Sequence, residues 1–200
     1  GRMGPADGLA RLEEIAGRTP RYPELLSPVS TMIIASAAAI VLGGGIREAL
    51  AAAVIGLLVG AICLTLGKRG GAARLVDFVC GAVSAMGAGF IADIAPLRAD
   101  LVAIASLITL LPGLTLTTAI NELSTRNLVS GTARLMGAFT MLLALGFGVA
   151  VGMRSIEALG APAPIGDFGT LPPLYTYIAL AAAALAFAIE FRAHPRQLWI

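Results

Sequence analysis

Charge is what this chain lacks. Only 13% of its 200 residues are Asp, Glu, Lys or Arg, against about 25% in soluble domains. That is too little to coat a water-facing surface, so a soluble enzyme, a nucleic-acid binder and a disordered chain are excluded. Histidine occurs once, at His194, and cysteine twice, at Cys63 and Cys80. No metal-ligand spacing results, and both cysteines lie in apolar runs, where they read as buried free thiols. No nucleophile–base pair is visible, so neither a catalytic residue nor a cofactor is expected. Glu13 and Glu14 rule out a signal peptide in the polar N-terminus. The chain does not start with Met and is expected to be a piece of a longer protein.

What remains is apolar. Hydrophobic residues make up 58% of the chain and mean hydropathy is +0.88. A run of about 20 apolar residues spans a bilayer core as a helix. Six such runs are present: 25–46, 49–67, 75–97, 101–121, 135–153 and 168–189. They predict an all-α, polytopic transmembrane bundle of six spans. Gly43 to Glu48, Gly67 to Gly71, Ala95 to Arg98, Asn121 to Arg134 and Gly160 to Pro173 supply the links. Pro172-Pro173 is expected to open the sixth span at its first turn, where a missing N–H costs nothing.

Lys and Arg collect in cytoplasmic loops. Alternate segments carry eleven and three of them, the three being Arg47, Arg98 and Arg154. This asymmetry predicts that both termini are cytoplasmic and that the number of crossings is even. The organisation expected is a tail over 1–24, a five-span unit over 25–159, a Pro/Gly-rich link over 160–173, and the first span of a second, truncated unit over 174–200.

Lipid gives helices no hydrophobic reason to pair, so close backbone approach must hold them together. Small residues four apart mark the expected contact faces. They are Ala35, Ala39 and Gly43; Ala52, Gly56 and Gly60; Gly81, Ala85 and Gly89; and Ala144, Gly148 and Gly152.

The fourth span is the exception. Pro112 has no N–H to give the helix ladder, and Gly113 adds backbone freedom. The pair predicts a break in mid-span. A break within a membrane is tolerated where protein or a wet cavity satisfies the freed groups. Many transporters bind substrate at such a half-helix, whose positive end faces an anion. If helix resumes, Thr115, Thr118 and Glu122 share a face, with Thr117 and Asn121 on its neighbour. The half-helix start would take a substrate carboxylate, and Glu122 would take an ammonium or a coupling proton. Plainer roles stand beside these: threonines bonding to their own carbonyls, a structural proline kink, a Glu122–Arg126 surface pair. Arg134 is placed to face Glu122 as a gate, or to anchor topology. Asp77, near the start of the third span, suits the helix dipole and could pair with Arg74, and is a second coupling candidate. Asp93 and Glu190 read as interfacial.

The stretch Pro112-Gly113-Leu114-Thr115-Leu116-Thr117-Thr118-Ala119-Ile120-Asn121-Glu122-Leu123, followed by Leu128 to Leu135, resembles the bacterial threonine/serine exporter family. That family has a PG…N-A-I-x-D-L…G-x-x-R-L signature here. Arg18 to Pro23 resembles the approach to its first span. The resemblance covers Arg18 to Met153. Thr118 stands where family members often have Asn, and Glu122 where they have Asp. The resemblance implies two five-span units, with Tyr175 to Trp199 opening the second. Ile46 to Leu50 and Pro195 to Trp199 echo each other in the two units.

Three functions are expected. The first, which the resemblance implies, is proton-coupled export of threonine or serine across a bacterial inner membrane, at a site built from Pro112, Gly113, Thr115, Thr118, Asn121 and Glu122. The second is export of another small solute, such as a dicarboxylate. The third is a scaffold or partner subunit that transports nothing. Expected partners are a small-molecule substrate, the lipid bilayer, and a second transmembrane unit or another copy; nucleic acid is not among them.

Overall fold

The computed structural model describes residues 8–9, 23, 26–68, 75–160 and 171–191. The described residues form an all-helical bundle: α1 (Leu26–Val41), α2 (Ile46–Leu66), α3 (Val76–Ile94), α4 (Ala99–Ser106), a 3₁₀ turn (Ile108–Leu110), α5 (Gly113–Ser124), α6 (Leu128–Ala158) and α7 (Pro173–Glu190). The rest of the N-terminal tail, Arg69 to Arg74, residues 161–170 of the Pro/Gly link and residues 192–200 lie outside them.

Each of the six apolar runs coincides with a helix or a broken pair. Among the described residues, α2, α3, α6 and α7 are long and apolar enough to cross a membrane, and α4 with the segment through α5, bent by 42°, makes a fifth if the broken pair is one crossing; that is four to five candidate spans against the six expected. Helix α1 is shorter than expected, at 16 residues, or about 24 Å of rise. It stops at Val41 because Gly43 takes φ 84°, while Gly43 N–H bonds Ile40 O and Gly44 N–H bonds Ala39 O. That closure is a Schellman motif, for which glycine is the favoured residue. Gly43 therefore ends the helix rather than packing it. At the other extreme, α6 begins at Leu128, not near Leu135, and runs for 31 residues. Arg134 bounds the uncharged run but does not interrupt a helix, so the expected polar link shrinks to Thr125–Asn127. Pro173 opens α7, as expected.

Small residues set the packing. A Cβ on Gly56 would lie 2.6 Å from Ala35 Cβ, and one on Gly60 would lie 2.6 Å from Pro28 Cα. So α1 and α2 touch backbone to backbone as an antiparallel pair. Helices α3 and α6 also touch backbone to backbone, but as a parallel pair: a Cβ on Gly81 would meet Leu145 O at 2.5 Å, and one on Gly152 would meet Ala82 O at 2.6 Å. The buried core lies among α1 to α4 and is largely small: Ala35, Ala39, Ala52, Ile55, Val59, Cys80, Ala88, Val102 and Ala105. Outward faces are apolar, as lipid requires; Ile94, Val129, Phe147 and Tyr177 are all more than half exposed.

The α3–α6 register has a further result. The two helices run parallel, with Gly148 beside Phe78 and Ala82, and Ile156 beside Gly89. Gly148 lies deep in α6 while Phe78 is in the first turn of α3. The first half of α6 therefore runs roughly 20 Å past the start of α3. Helix α5 folds back along this overhang, with Leu123 against Gly131.

Candidate functional site

The break begins earlier than the Pro-Gly pair. Helix α4 ends at Ser106, and Leu107 N–H turns back to Ile104 O at 3.1 Å. Ala103 O thereby loses its i+4 partner. Two hydroxyls replace it: Ser84 Oγ from α3 and Ser106 Oγ each lie 2.9 Å from Ala103 O, and 2.5 Å from one another. Each hydroxyl has one proton, so one serves the carbonyl and the other its neighbour. Both serines are fully buried, and Ser84 lies one residue from the middle of α3. This satisfied polar spot is how the bundle tolerates a broken ladder in an apolar interior.

Pro112 then sets where the helix resumes. The residue before a proline is driven out of the helical region, and Leu111 is extended at φ −65°, ψ 125°. Pro112 becomes the N-cap of α5 and Gly113 its first residue. The interruption thus spans Leu107 to Pro112, with the second helix starting where the sequence placed it. A Cβ on Gly113 would meet nothing within 4 Å, so the start of α5 is open.

Helical spacing sorts the threonines as expected. Thr115, Thr118 and Glu122 are half-buried on the side facing α6, while Thr117 and Asn121 are exposed. Thr117 Oγ1 donates to Gly113 O at 2.9 Å and Thr118 Oγ1 to Leu114 O at 2.8 Å, so both hydroxyl protons serve their own helix. Asn121 stands apart from the half-buried face.

Glu122 does not pair with Arg126. Arg134 Nε donates to Glu122 Oε1 at 2.9 Å, from the facing turn of α6. The hairpin sets this pair. Arg126 closes α5 in the left-handed region at φ 64°, with Arg126 N–H on Leu123 O and Asn127 N–H on Glu122 O. The chain reverses in three residues and brings positions 122 and 134 together. Glu122 Oε2, in contrast, is buried and has no hydrogen-bond partner; it is the one such side-chain oxygen among the described residues. A carboxylate oxygen shielded from solvent and without a donor is costly. The arrangement has room in its chemistry for one more cationic donor.

The start of α5 and Glu122 are nine residues apart, about 13.5 Å along the axis. No single amino acid bridges that separation, which corrects the expectation that one molecule touches both. Asp77 lies in the first turn of α3, half-buried and away from this pair; its expected partner Arg74 is outside the described residues.

Three polar features escaped the sequence reading. Ser84 and Ser106 are the first, with the signal that each is a serine in an otherwise apolar span. The second is Glu48, which is 3% exposed. Its Oε2 accepts Gly45 N–H at 2.9 Å and its Oε1 accepts Arg98 N–H at 3.2 Å, joining the α1–α2 turn to the start of α4. Its position three residues after Gly45 has capping-box spacing. The third is Glu190, half-buried rather than simply interfacial. It accepts from Ser27 Oγ at 3.1 Å and from Ser30 Oγ, and so ties α7 to the first turn of α1. Among the described residues, no three His, Cys, Asp or Glu side chains gather as a metal site would need.

The family described as "Putative threonine/serine exporter" matches residues 1–156. No curated protein and no solved structure matches.

Proposed function

The chain belongs to the threonine/serine exporter family, a family of multi-pass membrane transporters, and on that premise we propose that it carries small hydroxy amino acids outward, with the Glu122–Arg134 pair as the cytoplasmic gate. The single observation that supports this most is the unpartnered, buried Glu122 Oε2 beside an arginine. A zwitterionic amino acid offers the complement of this pair. Its ammonium suits the free carboxylate oxygen, and its carboxylate suits a guanidinium, which presents paired donors to such a group.

The pair sits at the end of the bundle where α2 finishes and α3 starts, with Lys68 in the turn between them. The excess of Lys and Arg at this end supports a cytoplasmic orientation, in which an exporter would load. From the gate the substrate would pass along Thr118 and Thr115 toward the open start of α5. There the free N–H groups of the first turn favour the carboxylate. Pro112 and Gly113 hold that turn apart from α4. Proton influx on Glu122 would reset the gate, with Asp77 as the second titratable group on the route. Rocking of helix pairs about the break would expose it alternately to the two sides. A bacterial inner membrane is the compartment that suits this reading.

The test is efflux of labelled threonine from vesicles loaded with it. Glu122→Gln and Arg134→Gln should each abolish efflux while the protein still inserts; Thr117→Ala, on the exposed side, should not. Normal efflux in both gate variants would dismiss the gate. Competition by succinate but not by threonine would point to a dicarboxylate carrier. Absence of transport for every solute offered, with a co-purifying partner, would point to a scaffold.

A further inference from the structure

The two cysteines, 17 positions apart in sequence, face each other across the α2–α3 seam with Cys63 Sγ 3.9 Å from Cys80 Sγ. Both are free thiols, Cys80 buried and Cys63 partly open. Cys63 lies three residues before the end of α2 and Cys80 four residues after the start of α3. The seam they straddle differs from its neighbours. Helices α1 and α2 are held backbone to backbone at Gly56 and Gly60, and α3 and α6 at Gly81, Gly148 and Gly152. Between α2 and α3 the glycine contact is ordinary: a Cβ on Gly87 would lie 3.4 Å from Ile55 Cγ1. The bundle is thus two tightly joined pairs meeting at a looser seam, and the thiols sit across it.

We propose that Cys63 and Cys80 are an oxidisable dithiol that hydrogen peroxide closes into a disulfide pinning the α1–α2 pair to the α3–α6 pair. The asymmetry of exposure assigns the roles. The Cys63 thiolate attacks peroxide, forming an S–O bond as the O–O bond breaks and hydroxide leaves. The Cys80 sulfur then attacks the sulfenic sulfur; the S–S bond forms, and the released oxygen departs as water with the Cys80 proton. Two electrons pass from the thiols to peroxide. A dithiol reductant reverses the bond by exchange. The arrest of movement rests on the exporter reading above; the chemistry of the thiols does not.

The experiment treats the protein in vesicles with hydrogen peroxide, denatures it in acid, and counts remaining thiols with a polyethylene-glycol maleimide. Both thiols should disappear together in a monomer and return with dithiothreitol. In Cys80→Ala no reversible intramolecular product should form, and Cys63→Ala should behave likewise. Retention of both thiols under peroxide, or a disulfide-linked dimer, overturns the proposal. Threonine efflux should fall on oxidation of the wild-type protein and not of Cys80→Ala; undiminished efflux from fully cross-linked protein overturns the pinning. If the reduced protein exports no threonine, the exporter reading has failed by itself. Amide hydrogen exchange along α2 and α3 then reads the pinning, which predicts slower exchange in the cross-linked form and is overturned by equal rates.

Discussion

Arg126 shows what a single backbone angle demands. Among the described residues, three helix ends close through a left-handed residue; Gly43 and Gly160 serve at two of them and Arg126 at the third. A side chain in that region strains the backbone by about 1 kcal/mol or more. Arg126→Gly should therefore raise the melting temperature of the detergent-solubilised protein, and Arg126→Val should lower it. A thermal series read by size-exclusion chromatography checks both. Glu48 makes the opposite point. Its carboxylate accepts two backbone N–H groups from separate links. Glu48→Ala leaves both N–H groups without an acceptor, a penalty of about 1–3 kcal/mol for each buried group. The expected result is a lower melting temperature, with Glu48→Gln falling between, since its one carbonyl oxygen can replace only one of the two acceptors.

At the level of the element, the interrupted fourth span is held by chemistry from a neighbouring helix. Ser84→Ala leaves Ser106 to serve Ala103 O and should cost little. Ser84→Ala with Ser106→Ala orphans that carbonyl and should cost about 1–3 kcal/mol. If the double variant melts like wild type, a water has replaced the hydroxyls or the break has moved. Much of this element could be read in advance. Pro112 announces the start of α5, because a proline restricts both itself and the residue before it. Of the small residues expected at contacts, Ala35, Gly56, Gly60, Gly81, Ala85, Gly89, Gly148 and Gly152 lie at close approaches, since only small side chains let membrane helices touch; Gly43 does not. The upstream limit at Ser106 could not be read, because it depends on a hydroxyl contributed by a residue 22 positions away. Nor could the length of α6, because a charged residue marks where apolar sequence stops and not where a helix does. The Glu122–Arg134 pair was one of two partnerships open to Glu122; the tight turn at Arg126 decided between them.

For the whole molecule, the arrangement of ends makes a sidedness prediction. Ile46, at the start of α2, and Ser130, at the start of α6, lie at opposite ends of the bundle. In a Cys63→Ala/Cys80→Ala background, Ser130→Cys should react with an impermeant maleimide from the cytoplasm and Ile46→Cys from outside. Reaction of both from one side would contradict their placement at opposite ends, and the reverse pattern would contradict the excess of Lys and Arg as a guide to orientation. The overhang of α6 beyond α3 also bears on how the protein can be seen. The tip formed by Thr125, Arg126 and Asn127 is carried on a rigid two-helix arm joined at its base to α3. An epitope grafted there would be displayed clear of the headgroups and would turn as one body with α3 and α6. Antibody fragments bound to it would serve as orientation markers for electron microscopy.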